Sequence, residues 1–347
     1  MTTFNIESLI RPHLLKITPY STARDEYRGK AEVFLDANEN PYPAAWHRYP
    51  DPHQAELKGV ISALKNINPE KIFIGNGSDE VIDLIIRLLC EPGQDVIVIP
   101  DPTYGMYQVS AQINHAGIIK VPLTSSFNLE ARDILKAVGP RTKIIFLCSP
   151  NNPSGNLLDK NQVREILARF NGLVVVDEAY IDFSDDQGFL PELDNWPNLM
   201  IMQTLSKAYG LAGLRLGLAF ARANLIKWLN NIKPPYNISH AAQALALERL
   251  RKTDEVNRQI KEIINQRNRL ANQLQTLAVV EQVFPSQANF LLVRFKDARQ
   301  IYNYLLQNGI IVRDRSAVLH GRNCLRITVG TPNENTKLIS ALQQFKP

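Results

Sequence analysis

Between residues 50 and 220, short apolar runs alternate with stretches of helical period. KIFIG (71–75) leads into SDEVIDLIIRLLCE (78–91), and DVIVI (95–99) into YGMYQVSAQINHAG (104–117) and IIKVPL (118–123). LEARDILKAV (129–138) precedes KIIFLCS (143–149), and DKNQVREILARF (159–170) precedes LVVVDEAY (173–180). LMIMQTLS (199–206) and LRLGLAF (214–220) close the series. Runs that are apolar at nearly every position belong to strands buried on both faces. Alternated with helices, they predict βαβ units around a mostly parallel sheet.

Residues 237–278 read as one long amphipathic helix, with Val256, Ile260, Ile263, Leu270, Leu274 and Leu277 on its apolar face. The tail alternates strands (VEQVFPSQANFLLVRF, CLRITVG) with the helix ARQIYNYLLQNG. A last helix opens with Thr331 as N-cap, Pro332 at its first position and Glu334 beyond. Upstream, Pro12, Pro19, Pro41 and Pro43 break the chain into an arm that needs another surface to lie on. The predicted organisation is an arm (1–45), a large α/β domain (46–250) and a smaller C-terminal α+β domain (251–347).

Composition narrows the function classes. The 347 residues are 45 % hydrophobic and 21 % charged, which excludes a disordered or collagen-like chain. A net charge of +5, without a block of like charges, gives no support to nucleic-acid binding. It does suit a pocket for acidic small molecules. Cys90, Cys148 and Cys324 have no paired spacing, as in a reducing cytosol. The N-terminus lacks a signal-peptide layout and no run is long enough to span a membrane, so a cytoplasmic protein is expected. His47, His53 and His240 show no metal-ligand spacing, and neither HExxH nor GxSxG occurs.

Polar residues cluster where strands end: Ser149-Pro-Asn-Asn152-Pro-Ser-Gly155, Asp177-Glu-Ala-Tyr180 and Thr204-Leu-Ser206-Lys207. In an open α/β sheet, ligands bind beyond the carboxyl ends of the strands, so the three segments converge. Asp177 ends a strand too apolar to favour a charge. Lys207 lies among small and apolar residues, and a desolvated lysine becomes a nucleophile toward carbonyls. An acid facing a pyridinium nitrogen beside a Schiff-base lysine is the pyridoxal-phosphate arrangement. Gly75-Asn-Gly77-Ser78-Asp79-Glu80 follows a strand and opens a helix, which suits a phosphate. It is GxGxxE, distinct from the dinucleotide fingerprint and from the P-loop.

Taken together, SPNNPSG, VVVDEAY and TLSKAYGLAGLRLG, with Asp177 and Lys207 30 positions apart, resemble fold-type I pyridoxal-phosphate aminotransferases over nearly the whole chain. More narrowly, ITPYSTAR, LDANENPY, RYPDP, GNGSDE, PTYGMY and CLRITVG are similar to the histidinol-phosphate aminotransferases. Ser154 stands where many relatives carry Thr. The resemblance implies pyridoxal 5'-phosphate as cofactor and a homodimer with shared active sites. It implies that Lys207 forms the Schiff base and shuttles a proton, and that Asp177 pairs with the ring nitrogen. Asn152 and Tyr180 bond the phenolic oxygen, and Tyr104 stacks on the ring. Ser78, Asp79, Thr204, Ser206 and Arg215 surround the phosphate, with Tyr49 reaching it from the neighbouring subunit.

On the substrate side the resemblance points to Tyr20, Asn38, Arg313 and Arg326. A guanidinium fork takes carboxylate or phosphate bidentately, as a pocket alternating between glutamate and histidinol phosphate requires. The implied reaction is amino-group exchange between histidinol phosphate and 2-oxoglutarate, giving imidazole-acetol phosphate and glutamate. Transamination of aromatic amino acids, decarboxylation of threonine phosphate and a non-catalytic cofactor-binding role remain open at this stage.

Overall fold

The computed structural model describes residues 4–27, 29 and 31–346. Met1–Thr3, Arg28 and Lys30 of the expected arm, and Pro347 of the expected C-terminal domain, lie outside them. In chain order the strands are β1 (Ile72–Asn76), β2 (Val96–Asp101), β3 (Gly117–Pro122), β4 (Thr142–Cys148), β5 (Leu173–Asp177), β6 (Leu199–Thr204), β7 (Leu216–Phe220), β8 (Val280–Val283), β9 (Phe290–Phe295), β10 (Arg313–Asp314) and β11 (Cys324–Thr328). The helices are α1 (Ala23–Glu26), α2 (Ala55–Lys65), α3 (Ser78–Leu89), α4 (Met106–Ile113), α5 (Ala131–Ala137), α6 (Lys160–Arg169), α7 (Ala223–Ile232), α8 (His240–Leu250), α9 (Thr253–Gln275), α10 (Ala298–Gln307) and α11 (Pro332–Gln344).

β1 to β7 form one sheet in the order β1-β7-β6-β5-β4-β2-β3. β3, β2, β4, β5 and β6 run parallel, while β7 is antiparallel to both β6 and β1. The mostly parallel sheet expected from the apolar runs is therefore present, with β7 as its one reversed strand. That reversal matters for the site. β1, β4, β5 and β6 end at the edge where β7 begins, so Arg215, just before β7, joins their carboxyl ends.

Apolar runs work here because both sheet faces are covered. Along β5, Leu173 and Val175 pack toward α3, α4 and α7, whereas Val174 and Val176 pack toward α2, α5, α6 and α8. This alternation has period two, as a pleated strand requires. It also assigns Asp177 to the α4 side.

The expected single helix over 237–278 is instead two, α8 and α9, separated at Arg251–Lys252. The apolar faces serve different partners. Ala242, Ala246 and Leu250 of α8 enter the core of the large sheet, and Leu270 and Leu274 of α9 cover the second sheet. One straight helix could not lie against both. The second sheet is β10-β11-β9-β8, antiparallel throughout. Leu291, Val293 and Phe295 face its helices, while Phe290 and Leu292 face the large sheet's layer. α11 carries the predicted capping box, Thr331 with Glu334.

The site edge depends on one close approach. A Cβ on Gly217 would stand 2.2 Å from the Ser78 backbone nitrogen and 2.3 Å from the Gly77 carbonyl carbon. These are backbone atoms, so the clash cannot be relieved by a rotamer change. Gly217→Ala is expected to push β7 away from the start of α3 and to cost about 1–3 kcal/mol of stability. Urea unfolding of the two proteins checks this.

Candidate functional site

The edge where these strands end holds a cavity lined by Ser78, Asp79, Tyr104, Cys148, Asp177, Ala179, Tyr180, Thr204, Ser206, Lys207, Ala212 and Arg215. Asp177 is at its floor, 2 % exposed. Its Oδ2 accepts from the Tyr107 hydroxyl at 2.6 Å, and its Oδ1 from the Ala179 N–H at 3.1 Å. Burial, opposed by these two donors, raises its pKa to about 6.

Lys207 stands at the mouth, reachable by solvent, with Nζ 5.9 Å from the centre of the Tyr180 ring. The surrounding walls desolvate the amine, and Arg326 and Arg215 repel its proton. Its pKa is therefore lowered, despite the opposing pull of Asp79 and Asp177. A depressed amine pKa is what a nucleophilic lysine requires.

Tyr180 is buried and makes an edge contact with Phe290 of the small sheet, 5.1 Å between centroids. Its hydroxyl accepts from Asn152 Nδ2 at 3.3 Å, and Asn152 Oδ1 accepts from Arg326 Nη1 at 2.5 Å. The register of β11 on β9 explains how Arg326 arrives: it lies opposite Leu292, on the face turned toward the large sheet. Arg313 lies opposite Arg326 on β10 and shares that face. Burial, with Arg313 adding repulsion, lowers the Arg326 pKa.

At the other end of the cavity, α3 starts at Ser78 behind Gly77, which sits at φ 77° with no side-chain cap. The first N–H groups of a helix have no intrahelical acceptor and carry partial positive charge. Arg215, in the left-handed region at φ 55°, reaches over this turn and pairs with Asp79 at 3.3 Å. Tyr104 also donates to Asp79, at 3.0 Å. Thr204 Oγ1 accepts from the Ser206 N–H at 3.1 Å, shaping the bend before Lys207.

Three residues expected from the sequence lie elsewhere within the chain. Tyr49 stacks on Tyr236, 4.5 Å apart and 17° from parallel. Tyr20, 72 % exposed, lines a different cavity with Lys233 and Pro52. Asn38 is exposed, at φ 53°. In the other direction, the sequence motifs assign no role to Tyr107. Its spacing of three from Tyr104 at a helix start is the signal that marks it, since i and i+3 share a helix face.

The donor set fits pyridoxal phosphate. Among the described residues, no cation makes an ion pair with the buried Asp177 carboxylate, and a protonated ring nitrogen would supply one. The uncapped start of α3, with Arg215 and Ser206, suits a phosphate, and Lys207 offers an amine to an aldehyde.

The family model for aminotransferase class I and II matches residues 29–342. The histidinol-phosphate aminotransferase of Cytophaga hutchinsonii is 51 % identical over 346 residues, 99 % of each chain. The crystal structure of histidinol-phosphate aminotransferase from Sinorhizobium meliloti, in complex with pyridoxal-5'-phosphate, aligns with TM-score 0.77 at 26 % identity, covering 86 % of this chain and 82 % of that one. The histidinol-phosphate aminotransferase from Clostridium acetobutylicum shares the fold with TM-score 0.79 at 24 % identity, over 85 % and 90 % of the two chains. With its fold-type I architecture, the chain belongs to the class I and II aminotransferases, a family of pyridoxal-phosphate enzymes.

Proposed function

We propose that the chain exchanges an amino group between histidinol phosphate and 2-oxoglutarate, yielding imidazole-acetol phosphate and glutamate, with pyridoxal 5'-phosphate as cofactor. The observation that carries this reading is the convergence of Lys207, Asp177 and Tyr180 on one cavity, with Asn152 and Arg326 joined to Tyr180 by hydrogen bonds, in a sequence alignable end to end with a histidinol-phosphate aminotransferase. When bound, the cofactor supplies an aldehyde for the amino group and a protonated ring that withdraws electrons from the substrate α-carbon.

The chain's own residues do the rest. Lys207 Nζ would hold the cofactor by its aldehyde and, once displaced by the substrate's amine, would move a proton at the substrate α-carbon as the free amine. Asp177 keeps the proton on the ring nitrogen. Asn152 and Tyr180 hydrogen-bond the phenolic oxygen, and Tyr104 packs on the ring. The Ser78 and Asp79 N–H groups, Ser206 and Arg215 hold the phosphate, with Thr204 shaping the bend. Arg326 and Arg313 take the substrate's anionic groups, phosphate in one half-reaction and carboxylates in the other.

Tyr20, Asn38 and Tyr49 act in a homodimer, with Tyr49 reaching the cofactor phosphate of the second copy. Support for this comes from the arm, where Val33, Leu35 and Tyr42 are 73–88 % exposed. Apolar side chains grouped in this way favour burial against another chain. The division into an arm (1–45), a large domain (46–250) and a small domain (251–347) belongs to the same proposal. Among the described residues no helix is long and apolar enough to cross a membrane, and a cytoplasmic location accords with a biosynthetic role.

Borohydride treatment of the cofactor-loaded protein is expected to label Lys207, as read by peptide mass. Lys207→Ala should lower kcat by at least about 10²–10⁴-fold; turnover at the wild-type rate contradicts the assignment. Arg326→Ala should raise the KM for glutamate and for histidinol phosphate together, each by about 10–100-fold. A loss confined to one substrate argues against a shared anion pocket. Carbon dioxide released from threonine phosphate would favour a decarboxylase instead.

The pKa values of Asp177 (about 6) and Glu178 (about 7) are both raised, chiefly by burial. A carboxyl raised on folding contributes stability that is fully present below its unfolded pKa and lost as pH rises through its folded one. The melting temperature of the cofactor-free chain is therefore expected to fall between about pH 4 and pH 7. Asp177→Asn should flatten the part of this slope below about pH 6, as thermal scans at fixed ionic strength would show.

A further inference from the structure

Tyr107 has no part in the reaction as described, yet among the described residues its hydroxyl is the side-chain group that hydrogen-bonds the Asp177 carboxylate. We propose that Tyr107 is a positioning residue, which holds the Asp177 carboxylate ionised and aimed at the ring nitrogen of the bound cofactor. The proposal rests on the pyridoxal-phosphate reading above and extends it to a residue outside the cofactor's own contacts.

The placement follows from two periodicities. Asp177 continues the Leu173, Val175 side of β5, the side against which α4 packs. Tyr107 belongs to the first turn of α4 and is completely buried. Its ring stacks on Phe146 of β4, 4.7 Å away and 12° from parallel, and meets Tyr104 edge-on at 5.6 Å. Held on two sides, the ring gives its hydroxyl little freedom. The hydroxyl fixes Oδ2 while the Ala179 N–H fixes Oδ1, so the plane of the carboxylate is set by two donors on different elements.

The electrostatic surroundings give this bond its importance. Asp79 at the start of α3 faces Asp177 with like charge, whereas Lys207 after β6 attracts it. The remaining titratable neighbours, Cys148 of β4, Tyr104 and Tyr180, have pKa values raised first by burial, with Asp177 contributing, and so stay neutral. Burial therefore favours the protonated acid, and the Tyr107 hydroxyl is the largest influence opposing it. A protonated Asp177 could not keep a ring nitrogen cationic. Tyr107 itself remains a donor, because burial and Asp177 push its own pKa well above the ordinary value.

Tyr107→Phe removes the hydroxyl and keeps the ring stack. Phe146→Leu disturbs the stack and keeps the hydroxyl. Each would be loaded with pyridoxal phosphate, its cofactor dissociation constant measured, and its visible absorption band titrated with pH. Tyr107→Phe is expected to weaken cofactor binding by about 5–50-fold and to move the midpoint of the band upward by about half a unit or more. Its kcat should fall more than its KM rises. Phe146→Leu, which loosens the ring but keeps the hydroxyl, should move the midpoint by clearly less than Tyr107→Phe does. Wild-type affinity and midpoint in Tyr107→Phe would overturn the role of Tyr107. So would equal shifts in Phe146→Leu, which would mean that the contact is only packing. A wild-type chain that develops no visible band with pyridoxal phosphate would overturn the cofactor reading itself, a result distinct from either.

Discussion

A carboxylate buried at the end of an apolar strand is the constraint from which the site is organised. Asp177 cannot share the solvation that surface acids enjoy, and burying an ionised carboxylate without compensation is costly. The chain compensates it in part. A tyrosine hydroxyl and one backbone N–H occupy its two oxygens, and no ion pair is made to it among the described residues. What is left over is an affinity for a cation, and a protonated ring nitrogen can meet it. Holding that affinity ready depends on β5 being covered on both faces, because a solvated Asp177 would find its counter-ion in water.

Charge is distributed along the cavity in a way that suits a molecule with two unlike ends. The Asp177 end is short of positive charge. The α3 end has a bare helix start and Arg215, with Asp79 holding the guanidinium near the turn. From the small sheet Arg326 reaches Asn152, with Arg313 beside it on β10. Lys207 lies between these regions, and Arg215 and Arg326 both disfavour its proton. The same guanidiniums that suit anionic ligands thus help to keep the lysine amine reactive, so binding and nucleophilicity are coupled through the electrostatics of one cleft.

Near the cavity the two sheets meet through specific contacts. Phe290 abuts Tyr180, and Arg326 bonds Asn152 with its guanidinium 5.3 Å from the centre of the Phe290 ring. Both small-sheet residues lie on the face opposite that sheet's own helices. The small domain therefore exposes its second face to the large one, and that face carries the arginines. A movement of the small sheet would carry Arg313 and Arg326 together, since the pairing of β10 with β11 joins them.

Sequence alone determined the strand–helix alternation, the mostly parallel sheet and the grouping of Asn152, Asp177, Tyr180 and Lys207 at one edge. Those features are local: apolar runs select buried strands, and strand ends in such sheets share an edge. Tertiary structure decided the features that depend on which surfaces meet. The break between α8 and α9 arises because one stripe faces the large core and the other the small sheet, a difference that apolar period does not encode. The Tyr107–Asp177 bond joins residues 70 positions apart in sequence, and only the packing of α4 on β4 and β5 brings them together. Arg215 reaches the site because β7 runs backward, a reversal invisible in an apolar run. Tyr20, Asn38 and Tyr49 show the same division from the other side: motif similarity can mark them, but the packing of this chain places them away from the cavity, Tyr49 stacked on Tyr236 and Tyr20 beside Lys233.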